Sequence, residues 1–187
     1  MATPPKARVV VLGAGWWTQG WHLPNLQHRD DASIVAVVDP AEQPGVGGCV
    51  PTLCEPTAAV AAKYGAKRFA SIDAALADSS LALDGVLVAV PHVHHAAVAT
   101  KVLEAGLHLL VEKPMTTTLA DARTLVEIAE KRSALTWIAM EYRYMPTTQS
   151  FLHNLAKVGD LKMLFIREHR FPFLKKVDNW NRFNRFT

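Results

Sequence analysis

Ala7-Arg8-Val9-Val10-Val11-Leu12-Gly13-Ala14-Gly15-Trp16-Trp17-Thr18 is the stretch on which the fold turns. Its first six residues read as a short buried strand. Gly13 and Gly15 end that strand, and a helix opens near Trp16. Strand, glycine turn and helix form the setting in which a Gly-x-Gly-x-x-Gly element binds a dinucleotide. Gly13 would allow the tight turn, and Gly15 would let the backbone approach a pyrophosphate held at the helix N-terminus. Trp16 and Trp17 follow on the same loop and count with it as cofactor-side residues. The third glycine is replaced by Thr18, and Gly20 lies out of register. Thr18 is small enough for moderately close helix–strand packing. A Gly-x-Gly alone also occurs as a plain strand-to-helix turn, so neighbouring residues must decide.

The second apolar run, Ser33 to Val38, ends at Asp39. An acid there accepts hydrogen bonds from the adenosine ribose and repels a 2′-phosphate, which favours NAD over NADP. NADP stays open, because Pro40 and the 43–56 loop can reshape that pocket. The plain alternative is an Asp that caps the turn before Pro40.

Along the rest of the chain, apolar strands alternate with amphipathic helices. Helices are predicted over Thr57–Tyr64, from Ser71 through Ala77, over His94–Ala105 and over 118–131. Strands are predicted at Lys67–Phe69, Gly85–Val90, His108–Val111 and Leu135–Met140. Pro24 is expected to bend or end the first helix. This alternation predicts an α/β fold with a parallel sheet covered on both faces. Residues 1–146 form the expected dinucleotide-binding unit. From 147 a helix reaches Val158, Gly159 turns the chain, and Leu161–Arg170 reads as one strand of a second, mostly antiparallel α+β unit.

Composition narrows the classes. The chain has 187 residues, half of them apolar and a fifth charged, which excludes a disordered chain. Cys49 and Cys54 have no matching pair elsewhere, so neither a disulfide scaffold nor a metal site is expected. No apolar run is long enough for a membrane helix, and the N-terminus does not read as a signal peptide, so a cytoplasmic location is expected. The net charge of +3 is uneven: residues 157–187 hold eight Lys or Arg against three acids. Aromatics are interleaved there, a mixture that can bind single-stranded nucleic acid. The alternative, a piece of a domain whose charge partners lie elsewhere, is preferred.

Four motifs in order resemble the glucose–fructose oxidoreductase, inositol dehydrogenase and rhizopine-catabolism (Gfo/Idh/MocA) family. They are Gly13-Ala14-Gly15, Val90-Pro91-His92-Val93-His94-His95, the stretch ending in Glu112-Lys113-Pro114, and Glu141-Tyr142-Arg143-Tyr144-Met145-Pro146. The second departs from the family's Thr-Pro-Asn-x-x-His, with Val and His replacing Thr and Asn. The resemblance implies an NAD(P)-dependent oxidoreductase of a sugar, inositol, polyol or diol, homo-oligomeric when complete. Lys113 is implied as the catalytic lysine beside the nicotinamide, able to polarise a hydroxyl or carbonyl oxygen. Glu112 is implied on the nicotinamide side, bonded to ribose or backbone, and Pro114 after a cis peptide. Val90, Pro91 and His92 would line the nicotinamide ribose, with His95 starting the next helix nearby or standing as a surface histidine. Arg143 counts with this set, either orienting a polar substrate or pairing with an acid between units. His22 is often matched in relatives, or packs on the sheet edge. The family's later Asp…His…Asp motif is not found, which implies an incomplete member. The competing expectation is therefore a catalytically inactive nucleotide-binding or interaction domain.

Overall fold

The computed structural model describes residues 5–44 and 54–167. Its centre is a six-stranded sheet in the order β3-β2-β1-β4-β5-β6. The strands are β1 Ala7–Leu12, β2 Ala32–Val38, β3 Lys67–Phe69, β4 Gly85–Val88, β5 His108–Val111 and β6 Thr136–Ile138. Every neighbouring pair is parallel. The helices are α1 Leu23–Gln27, α2 Thr57–Lys63, α3 Ile72–Ala77, α4 His95–Glu104, α5 Leu119–Glu130 and α6 Pro146–Asn154.

Strand alternation builds two cores from one sheet. Val10, Leu12, Val38, Val86, Val88, Leu109 and Val111 face α3, α4 and α5, where Ile72, Ala99, Val102, Leu103 and Leu125 complete a buried cluster. Val11, Val37 and Leu87 face the other way, against Leu23, Val60 and Ala61. Burial on both faces explains why the central strands carry near-continuous apolar runs. Truncating a fully buried leucine such as Leu103 to alanine would cost about 2–5 kcal/mol.

Local chemistry sets the helix ends. Ser71 Oγ accepts from the Ala74 N–H at 3.2 Å, and Thr118 Oγ1 accepts from the Asp121 N–H at 3.1 Å. The first helix departs from the expected regular form. It begins at Trp16, passes through a π-helical stretch, Thr18–His22, and only then becomes α1. The Leu23 N–H donates to the Thr18 carbonyl five residues back. Pro24 sits in α1 without ending it. It has no N–H to give, and the wider turn just before it accommodates that loss.

The parallel α/β unit is as expected. The second, antiparallel unit is not found among the described residues. After α6 a short 3-10 turn, Leu155–Val158, follows, and 161–167 carries no strand. The rest of the expected strand, to Arg170, lies outside the described residues, as do Cys49 and most of the 43–56 loop. A strand needs a neighbour for its N–H and C=O groups, and Phe165 and Ile166 are 85% and 82% exposed. The alternation there has no strand beside it among the described residues.

Candidate functional site

In an open parallel sheet, ligands bind beyond the carboxyl ends of the strands, where the strand order reverses. Here that point lies between β1 and β4. Backbone hydrogen bonds run across this rim from strand to strand. Asp39 N–H donates to Phe69 at 3.1 Å, Gly13 to Val38 at 2.7 Å, Ala89 to Leu12 at 2.8 Å, Glu112 to Val88 at 2.9 Å and Ala139 to Val111 at 2.8 Å. The ladder brings Asp39, the glycine loop, the Val90 turn and Glu112-Lys113 to one edge of the sheet.

Gly13 is required by geometry. Its φ is +95°, and a Cβ there would run into the Ala89 carbonyl group. The β1 turn therefore passes tightly over the end of β4. Gly15 is the opposite case, since a Cβ there would meet nothing within 4 Å. Open space above Gly15, at the head of a helix whose first N–H groups have no partner within it, fits a pyrophosphate.

Asp39 holds this loop. Its Oδ2 accepts from the Ala14 N–H and its Oδ1 from the Ala41 N–H, both at 2.8 Å. It thus does cap the turn at Pro40. A carboxylate has about four acceptor positions, so two remain for ribose hydroxyls. The turn-capping contacts thus leave acceptor capacity for a ligand on the same side chain. Gln19, missed in the sequence, braces the same loop: its Nε2 donates to the Ala14 carbonyl at 2.8 Å, and its Oε1 accepts from the Glu55 N–H at 2.8 Å.

Thr18, standing for the third glycine, is fully buried, and its hydroxyl has no hydrogen-bond partner among the described residues. Thr18→Val keeps the shape and removes the orphan hydroxyl. It should stabilise the fold by about 1 kcal/mol, read as a higher Tm in a thermal melt. A lower Tm would show that the hydroxyl has found a partner.

Glu112 is bonded to backbone, as one of the expected alternatives had it, and also to two side chains. Its Oε1 accepts from Trp17 Nε1 at 2.7 Å and lies 2.9 Å from His22 Nε2. Its Oε2 accepts from the Lys113 N–H at 3.1 Å. The carboxylate only accepts, so His22 donates. Burial of the Glu112 carboxyl opposes its ionisation, yet the His22 and Trp17 hydrogen bonds, the His22 charge and the Lys113 N–H together hold it below the usual carboxylate range. Trp17 and His22 are five residues apart, which an α-helix would turn to different faces. The i→i+5 stretch between them lets both reach one carboxylate, a consequence of backbone geometry that residue spacing alone does not announce.

Beyond β4, Pro91 is exposed and His92 half-buried, its ring edge-on to His95 at 5.5 Å. Burial holds the His92 imidazole below its ordinary range, helped by the nearby charges of His95 and Lys113 and opposed by Glu112. His95 is not a surface residue. It is fully buried, with Nδ1 2.7 Å from the Pro114 carbonyl and Nε2 2.9 Å from the Val90 carbonyl. Lys113 is exposed, and Lys113–Pro114 is a cis peptide. The rings of Trp16 and Trp17 meet at a tilt with centroids 5.8 Å apart, and those of Trp17 and Trp21 likewise at 5.6 Å. Arg143 is exposed in the 3-10 turn Glu141–Tyr144, which follows β6 on the same rim.

Two titrating groups of this rim contribute to the acid side of stability. Glu112 has a lowered value in the fold, so its contribution is present above the ordinary carboxylate range and is lost as pH falls through the lowered value. His92, also lowered, penalises the fold once pH drops below its ordinary imidazole value. Tm should therefore fall in two steps on acidification, and His92→Gln should remove only the step at higher pH. A melt series from neutral to acid checks this; an unchanged upper step in the variant contradicts it.

A family model described as "Oxidoreductase family, NAD-binding Rossmann fold" matches residues 7–140. A 4-carboxy-2-hydroxymuconate-6-semialdehyde dehydrogenase from Sphingobium sp. is 28% identical over 173 residues, 92% of this chain and 50% of its own length. An inositol 2-dehydrogenase from Corynebacterium glutamicum is 39% identical over 125 residues, 66% of this chain and 33% of its own. Among solved structures, the WlbA dehydrogenase from Bordetella pertussis, in complex with NADH and UDP-GlcNAcA, superposes with a TM-score of 0.69 at 25% identity. That match covers 84% of this chain and 41% of WlbA. The chain spans half or less of the length of these relatives. With the matched model running from the first residue of β1 to just past β6, the chain belongs to the Gfo/Idh/MocA oxidoreductase family, with its NAD-binding Rossmann fold.

Proposed function

We propose that this chain is the nucleotide-binding part of an NAD(P)-dependent oxidoreductase. It would act on a secondary hydroxyl of a sugar, inositol, polyol or diol. The observation that carries the proposal is the shared rim: Gly13, Asp39 and Glu112-Lys113 meet at the switch point of the sheet. Two of the relatives named above, an inositol dehydrogenase and a UDP-sugar-bound dehydrogenase, support the substrate class.

Bound nicotinamide would supply the hydride acceptor or donor at its C4. The protein's own residues do the rest. Gly15 and the helix head receive the pyrophosphate, and Asp39 receives the adenosine ribose and disfavours a 2′-phosphate, so NAD is preferred over NADP. The turns at Val90-Pro91-His92 and Glu112-Lys113 flank the nicotinamide end. The Lys113 ammonium polarises the substrate oxygen and steadies negative charge as the carbonyl forms or is reduced. In carbonyl reduction this ammonium gives its proton to the forming alkoxide, and in alcohol oxidation the neutral amine takes the hydroxyl proton. Arg143 orients a polar substrate from the next strand end. Residues from 147 onward open the second unit, which would close over the substrate and exclude water.

Lys113→Ala tests the assignment with NAD and a panel of inositols and aldoses. Turnover should fall by about 10²–10³ while NAD affinity stays within a few-fold. A variant that retains turnover removes Lys113 from the chemistry. Tight NAD binding by the unaltered chain without any turnover would instead favour a nucleotide-binding domain that is inactive as it stands.

A further inference from the structure

We propose that His95 is the positioning residue for the Lys113 turn, acting through the backbone without touching nucleotide or substrate. This rests on the nucleotide-binding reading of the same rim. His95 opens α4, and its ring is fully buried between two turns. Nδ1 lies 2.7 Å from the Pro114 carbonyl, immediately after Lys113. Nε2 lies 2.9 Å from the Val90 carbonyl, in the turn after β4. Carbonyl oxygens only accept. Hydrogen on either ring nitrogen therefore serves one turn, and hydrogen on both serves the two together.

The two turns flank the nicotinamide end and come from neighbouring strands. Within the strands, the β4–β5 ladder fixes their spacing, and its last rung is Glu112 N–H to Val88 at 2.9 Å. Beyond that rung, His95 is the bridge from the β4 turn to the backbone that follows Lys113. Glu112 is tied separately, to Trp17 and His22 on the glycine-loop helix. Lys113 thus sits between two anchors, one reaching toward β1 and one toward β4. The adenosine end has its own anchor in Asp39 and needs neither.

That separation supplies the test. His95→Asn can place its amide N–H₂ where Nδ1 was, and keeps the Pro114 contact. His95→Gln reaches further, and keeps the Val90 contact. The 187-residue chain and both variants are titrated with NADH and with ADP-ribose, which lacks the nicotinamide. ADP-ribose affinity should stay within about two-fold, while NADH affinity falls about tenfold, the scale of one lost hydrogen bond, in the variant that gives up the contact the ring donates, and in both variants where both ring nitrogens carry hydrogen. The blue-shifted emission of bound reduced nicotinamide should also be lost, a change that general weakening of the fold would not confine to one half of the nucleotide.

Equal loss of ADP-ribose and NADH makes His95 a fold residue only and overturns the proposal. Unchanged NADH binding and emission in both variants overturn it as well. If the unaltered chain binds neither ligand, the nucleotide reading falls and takes this inference with it. Should a variant lose its helical circular dichroism, the unaltered protein still decides by NMR. Ring N–H signals of His95 that are shielded from exchange and shift on adding NADH, but not ADP-ribose, support the proposal. Signals indifferent to both overturn it.

Discussion

Gly13→Ala should collapse both the fold and the site, whereas Gly15→Ala should spare the fold and weaken only the ligand. At Gly13 a side chain meets two obstacles. The left-handed backbone costs about 1–2 kcal/mol for any residue with a Cβ. The added atom also runs into the Ala89 carbonyl, which belongs to the end of a central strand and cannot swing aside. Overpacking of this kind adds about 1–3 kcal/mol. Together, about 2–5 kcal/mol is a large share of a domain's usual margin, and Tm should drop by about 10 °C. At Gly15 neither obstacle exists. Alanine there should leave Tm within a degree or two, yet place a methyl group where the pyrophosphate approaches, costing NAD about tenfold or more in affinity. Paired melts and titrations read both effects. Equal Tm values for the two variants would contradict this division of labour.

The second large effect is expected at Asp39. Removing its carboxylate takes away two contacts at once, the Ala14 N–H that shapes the glycine loop and the Ala41 N–H that shapes the turn after β2. It also takes away the ribose acceptor. Hydrogen bonds to a charged group contribute about 1.5–3 kcal/mol each, so Asp39→Ala should weaken NAD binding by about a hundredfold. Asp39→Asn keeps one acceptor oxygen and loses the charge. It should keep most of the loop geometry and narrow the gap between NAD and NADP, because the repulsion of a 2′-phosphate goes with the charge. An alanine variant that binds NAD normally would show that Asp39 shapes a turn and nothing more.

The sheet was legible because its signals are local. An apolar run entering Gly13-Ala14-Gly15, a Ser or Thr before each of α3 and α5, and glycine after α2 and α4 each specify an element without reference to the rest of the chain. The helix after the glycine loop was placed correctly at Trp16, but its π-helical stretch was not readable. No residue type encodes it, and the Trp17–Glu112–His22 cluster depends on it. His95 shows the same limit. The sequence puts it at the first turn of a helix near the site, while its burial between two carbonyls is decided by how two loops from different strands approach. Residues 161–167 carry no strand for the complementary reason: alternation predicts a strand only where another strand stands beside it, and none does among the described residues. The positions of Lys113 just past β5 and of Asp39 just past β2 were legible, the first through the Glu-Lys-Pro motif and the second through the apolar run before it.

The central claim is that the β1/β4 rim binds NAD, and isothermal titration of the 187-residue chain with NAD and NADP, beside Asp39→Ala, addresses it most directly. The account predicts one NAD per chain, weaker binding of NADP, and loss of NAD binding in the variant. A chain that shows a cooperative melt yet gives no heat with either nucleotide would contradict it.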